Sequence, residues 1–165
     1  MFIKRTASQF VILALLILVT GIIANAQTNQ VKTLTKEIKA ELPGRQKEIA
    51  EKCDGASPVV EVDFASFGEN STALLSVPQL GLKQTTNAFR RFCTDSSDTT
   101  KSDAANVGSL KANVKKIVLK HVEKAEDKKV TLQKGGIILI EMKFDKPAGG
   151  GIDYVAMARK LGELL

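Results

Sequence analysis

Four side chains in predicted strands have the chemistry for acid–base catalysis. Glu61 and Asp63 lie two residues apart, so both carboxylates emerge on one face of a strand. Glu141 lies in another predicted strand and could face them, and paired carboxylates of this kind hydrolyse glycosides. His121 is the only histidine and could serve as a general base or a metal ligand. These residues define a secreted hydrolase as one hypothesis.

The same four residues also have an ordinary structural explanation. A solvated sheet face is normally lined by Glu, Asp and Lys, and a single histidine without a partner is usually structural. The chain has no Trp and only Tyr154, so few rings are present to stack on a sugar. A serine triad would need His121 as its base, and no G-x-S-x-G segment presents a nucleophilic serine. The residue types therefore favour binding over catalysis.

Two further segments contain residue types found in cofactor or metal sites. The glycines of residues 148–151 precede a predicted helix, but they lack both the P-loop Lys-Ser/Thr and the G-x-G-x-x-G spacing. Asp95, Asp98 and Asp103 do not have the spacing of an EF-hand loop. We expect no bound cofactor and no metal site.

The first 26 residues predict a secretory signal peptide. Lys4-Arg5 precedes an apolar run over residues 10–23, and residues 24–26 (Ala-Asn-Ala) supply the small side chains of a cleavage site. The alternative is an uncleaved anchor, because residues 7–26 reach about the length that crosses a bilayer. We expect cleavage, export of residues 27–165 to the exterior, periplasm or cell envelope, and no membrane span afterwards.

The two cysteines, Cys53 and Cys93, predict a structural disulfide in an oxidising compartment. A redox pair usually has C-x-x-C spacing, and a thiolate metal site would need more ligands than His121 can supply. Closing the chain between these cysteines stabilises a fold by about 4 kcal/mol in the loop-entropy description. We expect the cysteines to be bonded to each other.

The length and net charge of the mature chain limit the number of domains and the kinds of partner that we expect. Removal of 26 residues from 165 leaves 139, the size of one domain. Without Lys4 and Arg5 it carries 22 basic and 18 acidic residues, a net charge of +4. The lysines are dispersed among acids, whereas nucleic-acid binders concentrate basic residues and interleave aromatics. We do not expect nucleic-acid binding; association with a polyanion or the envelope surface stays open as a third hypothesis.

Hydrophobic periodicity predicts three helices and four strands. The helices cover residues 31–53, 82–93 and 153–165, and Pro43-Gly44 makes the first one either kinked or two short helices. The strands cover residues 59–67, 114–122, 130–133 and 137–144, the last being central and covered on both faces. Residues 73–82 stay unassigned, residues 94–106 form a polar surface loop, and β-structure begins after Val107.

These elements predict an α+β fold, with a mainly antiparallel sheet of about four strands against about three helices. The last three strands form an antiparallel meander, and residues 27–165 form a single domain.

The leading functional hypothesis is a small secreted, disulfide-stapled binding module that is not an enzyme. Its partner is another protein or a small apolar ligand, held against the sheet or under the polar loop.

Overall fold

The computed structural model describes the backbone of residues 7–94, 101–144 and 152–165, with side chains from residue 28 onward. Its α-helices are α1 (Ala7–Lys52), α2 (Ser71–Ser76), α3 (Gln84–Cys93), α4 (Ala104–Asn113) and α5 (Tyr154–Leu164). Its strands are β1 (Val59–Val62), β2 (Lys116–His121), β3 (Lys129–Gln133) and β4 (Ile137–Met142). Short 3-10 helices cover Phe64–Phe67 and Ala125–Asp127, and a π-helix covers Val77–Lys83.

The four strands form one mixed sheet in the order β1-β2-β4-β3. β1, β2 and β4 are parallel to one another, and only β3 runs antiparallel, paired with β4. The α+β class is confirmed. The prediction of a mainly antiparallel sheet with a three-strand meander is wrong, because β4 lies between β2 and β3.

Two connections explain this topology. The chain between β1 and β2 contains α2, α3 and α4, and a connection of that length carries it back to begin a parallel neighbour. β4 is apolar on both faces at residues 137–140, so it gains most from a central position. Its turn from β3 is the one predicted: Gly135 and Gly136 adopt φ of 85° and 78°, which favour glycine.

The described ranges hold more helices than the three predicted. The unassigned residues 73–82 lie mainly in α2 and the π-helix. The prediction of β-structure from Val107 is wrong up to residue 113, since Ala104–Asn113 form α4. Asp103 starts α4, because its Oδ1 accepts hydrogen bonds from the amides of Ala105 and Asn106 at 3.0 Å. Residues 95–100 of the predicted polar loop lie outside the described residues.

Helix α1 continues through Pro43, so neither two short helices nor a break is present there. Arg45 bonds to carboxylates on both sides: its Nε donates to Glu41 at 2.8 Å and its Nη1 to Glu48 at 3.0 Å. Burial by itself lowers the pKa of Arg45, but the hydrogen bonds to Glu41 and Glu48, together with the negative charges of these glutamates, outweigh it and the pKa is raised. The charged contacts hold the helix together next to the proline.

The core lies between the helices and one face of the sheet. On that face the buried side chains are in register across β1, β2 and β4, as with Val62, Leu119 and Ile140. On the other face the described side chains are exposed or half-buried, apart from Glu141. The sheet is therefore covered on one side only within the described residues, and the prediction that β4 is covered on both faces is not met.

The predicted disulfide is confirmed. Cys53, just after α1, is bonded to Cys93 at the end of α3, and both cysteines are fully buried. The bond joins two helices that cover the same face of the sheet.

The predicted signal peptide is only partly within the structure. Residues 1–6 lie outside the described residues, and residues 7–26 form the amino-terminal part of α1. Cleavage and export stay predictions. A search of the described residues finds no helix that is both long and apolar enough to span a membrane.

Candidate functional site

The carboxyl ends of three strands meet at one edge of the sheet. β1, β2 and β4 are parallel, and β3 begins at the same edge because Lys129 pairs with Glu141 near the end of β4. Ligands of open α/β sheets bind in crevices outside the carboxyl ends of strands. We call this region the carboxyl edge.

His121 lies at the centre of the carboxyl edge, on the helix-covered face. Its ring stacks on Phe67 with centroids 5.2 Å apart and lies 6.1 Å from the ring of Phe144. Its amide donates to Ser66 Oγ at 2.9 Å, and Ser66 Oγ donates in turn to the carbonyl of Asp63 at 2.6 Å. These contacts tie the ends of β1 and β2 together.

The hydrogen bonding of His121 engages one of its two ring nitrogens within the fold. Its Nδ1 accepts the amide of Phe144 at 3.3 Å, which places the proton on Nε2 in the neutral ring. Nε2 lies 4.0 Å from Oε1 of Glu123, a residue of the edge that is largely exposed. Since a general base needs a lone pair that can reach substrate, and Nδ1 is occupied, this geometry does not present His121 as a base.

The carboxylates do not gather around His121. Glu61 lies on the opposite, open face of the sheet and pairs with Lys116 at 2.9 Å. Asp63 follows β1 at the carboxyl edge, where its amide donates to the carbonyl of Leu119 at 2.8 Å. Glycosidase chemistry needs two carboxylates facing one bond, and the structure brings no such pair together among these residues.

Glu141 is buried on the open face between two lysines. Its side chain is 8 % exposed, and its oxygens lie 3.2 Å from Nζ of Lys120 and 3.3 Å from Nζ of Lys129. Glu61 and Glu141 are separated by β2, on which their partners in register are Val118 and Lys120. Strand geometry then places their Cα atoms about 12 Å apart. The arrangement makes Glu141 a counter-ion for lysines.

The other segments considered for cofactors add no site. Asp95, Asp98 and the glycines of 148–151 lie outside the described residues, and Asp103 caps α4. Among the residues that the structure describes, no three His, Cys, Asp or Glu side chains are grouped as metal ligands would be.

Two open clefts lie along the carboxyl edge. The first, which we call the acidic cleft, has a volume of about 600 Å³ and is lined by residues 65–72 and Glu123. Glu69 and Glu123 are its charged residues, and its other polar groups include Ser66 and Asn70. Asn70 is already engaged, because its Oδ1 accepts the amide of Ala73 at 2.9 Å as the cap of α2.

The second cleft, which we call the basic groove, lies between the start of β3 and the start of α5. It has a volume of about 570 Å³, within the range of small-molecule sites. Among the described residues its lining consists of three apolar residues, three lysines and one acid: Val130, Ile152, Ala156, Lys128, Lys129, Lys160 and Asp153. An apolar lining with a few charged groups is the usual composition of a ligand pocket.

The three lysines of the basic groove differ in whether their ammonium groups have an acidic partner. Lys129 shares Glu141 with Lys120, and Lys160 donates to Glu163 at 2.8 Å. Lys128 is half-buried, and in the described part of the chain its side chain makes no ion pair or hydrogen bond, although its amide donates to the carbonyl of Ala125. The three lysines at the opening of the basic groove, which we call its rim, therefore carry more positive charge than the neighbouring acids neutralise.

Sequence reasoning did not identify the basic groove. Lys128 and Lys129 were part of a charged turn, and Ala156 and Lys160 lie one helical turn apart on α5. That spacing shows that the two α5 residues share a face. No sequence signal indicates that this face lies against Lys129 at the start of β3, which precedes Ala156 by 27 residues (156 minus 129).

The fold and the carboxyl edge define a mixed α+β sandwich with clefts at its strand ends. Comparison with known family models, curated proteins and solved structures finds no match for the chain. Function has to be inferred from the site itself.

Proposed function

We propose that this protein is an exported, disulfide-stapled binding domain that holds its ligand at the carboxyl edge and catalyses no reaction. The observation that carries the proposal is the pair of open clefts at that edge, each large enough for a small molecule. The disulfide between Cys53 and Cys93 suits an oxidising compartment, as does a cleaved signal peptide.

The dispersal of the acid–base residues supports binding over hydrolysis. His121 uses Nδ1 to hold Phe144, while Glu61 and Glu141 neutralise lysines on the opposite face. A hydrolase would need these groups to converge on one cleft with a lone pair or a proton to exchange. The geometry gives each of them a structural partner instead.

The ion pairs also weigh against a polyanion-binding surface. Three lysines of the open face, Lys116, Lys120 and Lys129, already lie next to Glu61 or Glu141. In polyanion binding, lysines neutralise phosphates or sulfates and so release the counter-ions that are condensed on the polyanion. Lysines neutralised within the sheet contribute less to that exchange.

Export is tested by the intact mass of the protein isolated from its host, alkylated before and after reduction. We expect the mass of residues 27–165, with both cysteines labelled only after reduction. A full-length mass in the membrane fraction would contradict cleavage. Labelling without reductant would contradict the staple.

The binding surface is tested by amide NMR spectra of the protein in the form its host produces. Octanoate, octan-1-ol, octylammonium, glucose and inorganic phosphate serve as separate probes. We expect at least one probe to shift amides of the carboxyl edge and to leave the far ends of the strands unchanged. Shifts confined to the open face, or an absence of saturable shifts with every probe, would refute the proposal.

The absence of catalysis is tested on chromogenic esters and glycosides. We expect the protein to turn them over no faster than buffer alone. Turnover that disappears in Glu61→Gln, Asp63→Asn or Glu141→Gln while the fold is retained would establish the hydrolase in place of the binding domain.

A further inference from the structure

We propose that the basic groove binds a small amphipathic anion, namely a molecule with a flexible apolar chain and one terminal carboxylate. Medium-chain fatty acids are the simplest members of this class. The inference rests on the proposed function and deepens it, because it names the cleft that is used and the chemical class of the ligand.

The apolar part of the ligand is specified by the lining of the groove. Val130 reaches it from β3, and Ile152 and Ala156 reach it from the start of α5. Val130 is buried and Ile152 is half-buried against the core, whereas Ala156 is exposed and leaves room above its methyl group. An alkyl chain laid over these residues removes apolar surface from water on both sides of the contact.

The anionic end is specified by the lysines of the rim. Lys128 has its ammonium group uncompensated in the described part of the chain, although the residue is half-buried. Lys160 lines the same groove and is 46 % exposed in its side chain, whereas Lys129 keeps its ammonium 3.3 Å from Glu141 on the open face. A charge-assisted hydrogen bond from an ammonium to a carboxylate is among the stronger polar contacts in proteins.

Asp153, the one acid among the described residues of the groove, does not oppose this arrangement. Asp153 caps α5, and its Oδ2 accepts the amides of Val155 and Ala156 at 3.2 and 3.3 Å. The carboxylate is thereby turned towards the helix end and satisfies the amides there. The ligand anion accordingly meets the lysines and not the amino-terminal end of α5.

A small molecule fits the groove better than an added peptide strand does. β3 is the outer strand of the sheet, and lysines at its start (Lys128 and Lys129) are a common means of discouraging strand pairing at an edge. The groove has a volume of about 570 Å³, which suits a compact ligand. We therefore assign a small molecule to it.

The first experiment compares head groups at constant chain length, by calorimetry and amide NMR at pH 7. Octanoate is expected to shift the amides of Lys129, Val130 and Ala156, and to bind at least fivefold more tightly than octan-1-ol. Octylammonium is expected not to bind there. Decanoate is expected to bind roughly three- to tenfold more tightly than octanoate, since each added methylene is partly buried.

The second experiment uses variants with a matched control. Lys128→Gln is expected to weaken octanoate binding roughly five- to tenfold. Lys36→Gln removes the same charge from an exposed position on α1 and is expected to change the affinity less than twofold. Ala156→Leu fills the exposed end of the lining without disturbing a buried residue, and it is expected to weaken binding at least fivefold.

The outcomes separate this inference from the function on which it rests. Equal affinities for octanoate and octan-1-ol, or an unchanged affinity in Lys128→Gln, would overturn the anionic ligand class. Shifts that saturate in the acidic cleft alone would leave the binding domain intact and overturn the basic groove. Tighter binding of an acidic peptide that adds strand-type hydrogen bonds to β3 would overturn the small molecule. Loss of saturable shifts with every probe would overturn both proposals.

Discussion

His121 organises the carboxyl edge at the scale of a single residue. Its backbone amide contacts Ser66, its Nδ1 contacts the amide of Phe144, and its ring packs in a cluster with those of Phe67 and Phe144. It thus connects β2 to the segment after β1 and to the end of β4. Losing the imidazole would leave the buried amide of Phe144 without this acceptor, and an unsatisfied buried donor is costly.

The substitution His121→Phe tests that role. The new ring can still stack on Phe67, but it offers Phe144 no acceptor, so we expect the free energy of unfolding to fall by about 1–3 kcal/mol. Urea denaturation measures it. Glu123→Gln is the control, because that carboxylate is 87 % exposed and its loss should cost less than about 0.5 kcal/mol. Equal effects of the two substitutions would contradict a structural His121.

Glu163 gives a prediction for how the stability of the fold depends on pH. Lys160 donates to Oε2 of Glu163 at 2.8 Å, and this hydrogen bond lowers the pKa of Glu163 below its ordinary value. Since the folded pKa is the lower one, the pair stabilises the fold at pH above the unfolded pKa, and this contribution is lost as pH falls through the folded pKa.

An NMR titration of the carboxyl carbon of Glu163 tests this statement. The midpoint should lie below that of the urea-unfolded chain, and Lys160→Gln should return it towards the unfolded value. Identical midpoints in the two folded proteins would show that Lys160 does not hold the carboxylate.

Single residues were predictable where their own chemistry decides their partner. Cys53 and Cys93 are the two cysteines of the chain, so each had only the other as a disulfide partner, and the structure bonds them. The neighbours of Glu141 depended on strand register, which places Lys120 and Lys129 beside it. A sequence pattern shows which face a strand residue occupies, but not which residue of another strand lies next to it.

At the scale of elements, the π-helix is fitted closely to the sheet. A Cβ built at Gly81 would lie 2.8 Å from Cε1 of Phe144 and 3.1 Å from Cδ1 of Leu119. Both of these side chains are fully buried, so they have little space in which to move. The glycine thus permits the approach of Val77–Lys83 to the ends of β2 and β4.

Gly81→Ala is therefore expected to destabilise the protein by about 1–3 kcal/mol through overpacking. Gly108→Ala is the matched control, because Gly108 is exposed within α4 and an added Cβ meets nothing within 4 Å. That change should stabilise the protein by about 0.5–1 kcal/mol, since alanine favours the helix. Thermal and urea unfolding measure both, and destabilisation by both substitutions alike would contradict the close approach.

Elements were predictable where one pattern covers their whole length. The apolar stripes of α1 and α5 and the alternation in β2 and β4 indicated elements at those positions. α4 was not found because polar residues surround it and its two buried residues, Val107 and Leu110, give a short signal. The order of the strands was mispredicted because short turns favour a meander, whereas the apolar residues on both faces of β4 favour a place for it between two other strands.

At the scale of the whole molecule, the disulfide restrains a large part of the covering layer. The chain between Cys53 and Cys93, a sequence separation of 40, includes β1, α2, the π-helix and most of α3. The sheet is covered by helices on one face within the described residues, so its stability depends on keeping that layer in place. Reduction enlarges the conformational freedom of this segment in the unfolded chain.

The free energy of unfolding should therefore fall by about 4 kcal/mol when the disulfide is reduced, as expected for a loop of this length. Urea denaturation of the oxidised and reduced protein measures the difference. The double variant Cys53→Ala/Cys93→Ala, with and without reductant, controls for other effects of the reductant, and its two curves should coincide. Because both sulfurs are fully buried, reduction should become rapid only as the protein unfolds. Reduction that is complete in the native state and leaves the curve unchanged would show that packing alone holds the layer, and the disulfide would then contribute nothing to the stability of the carboxyl edge.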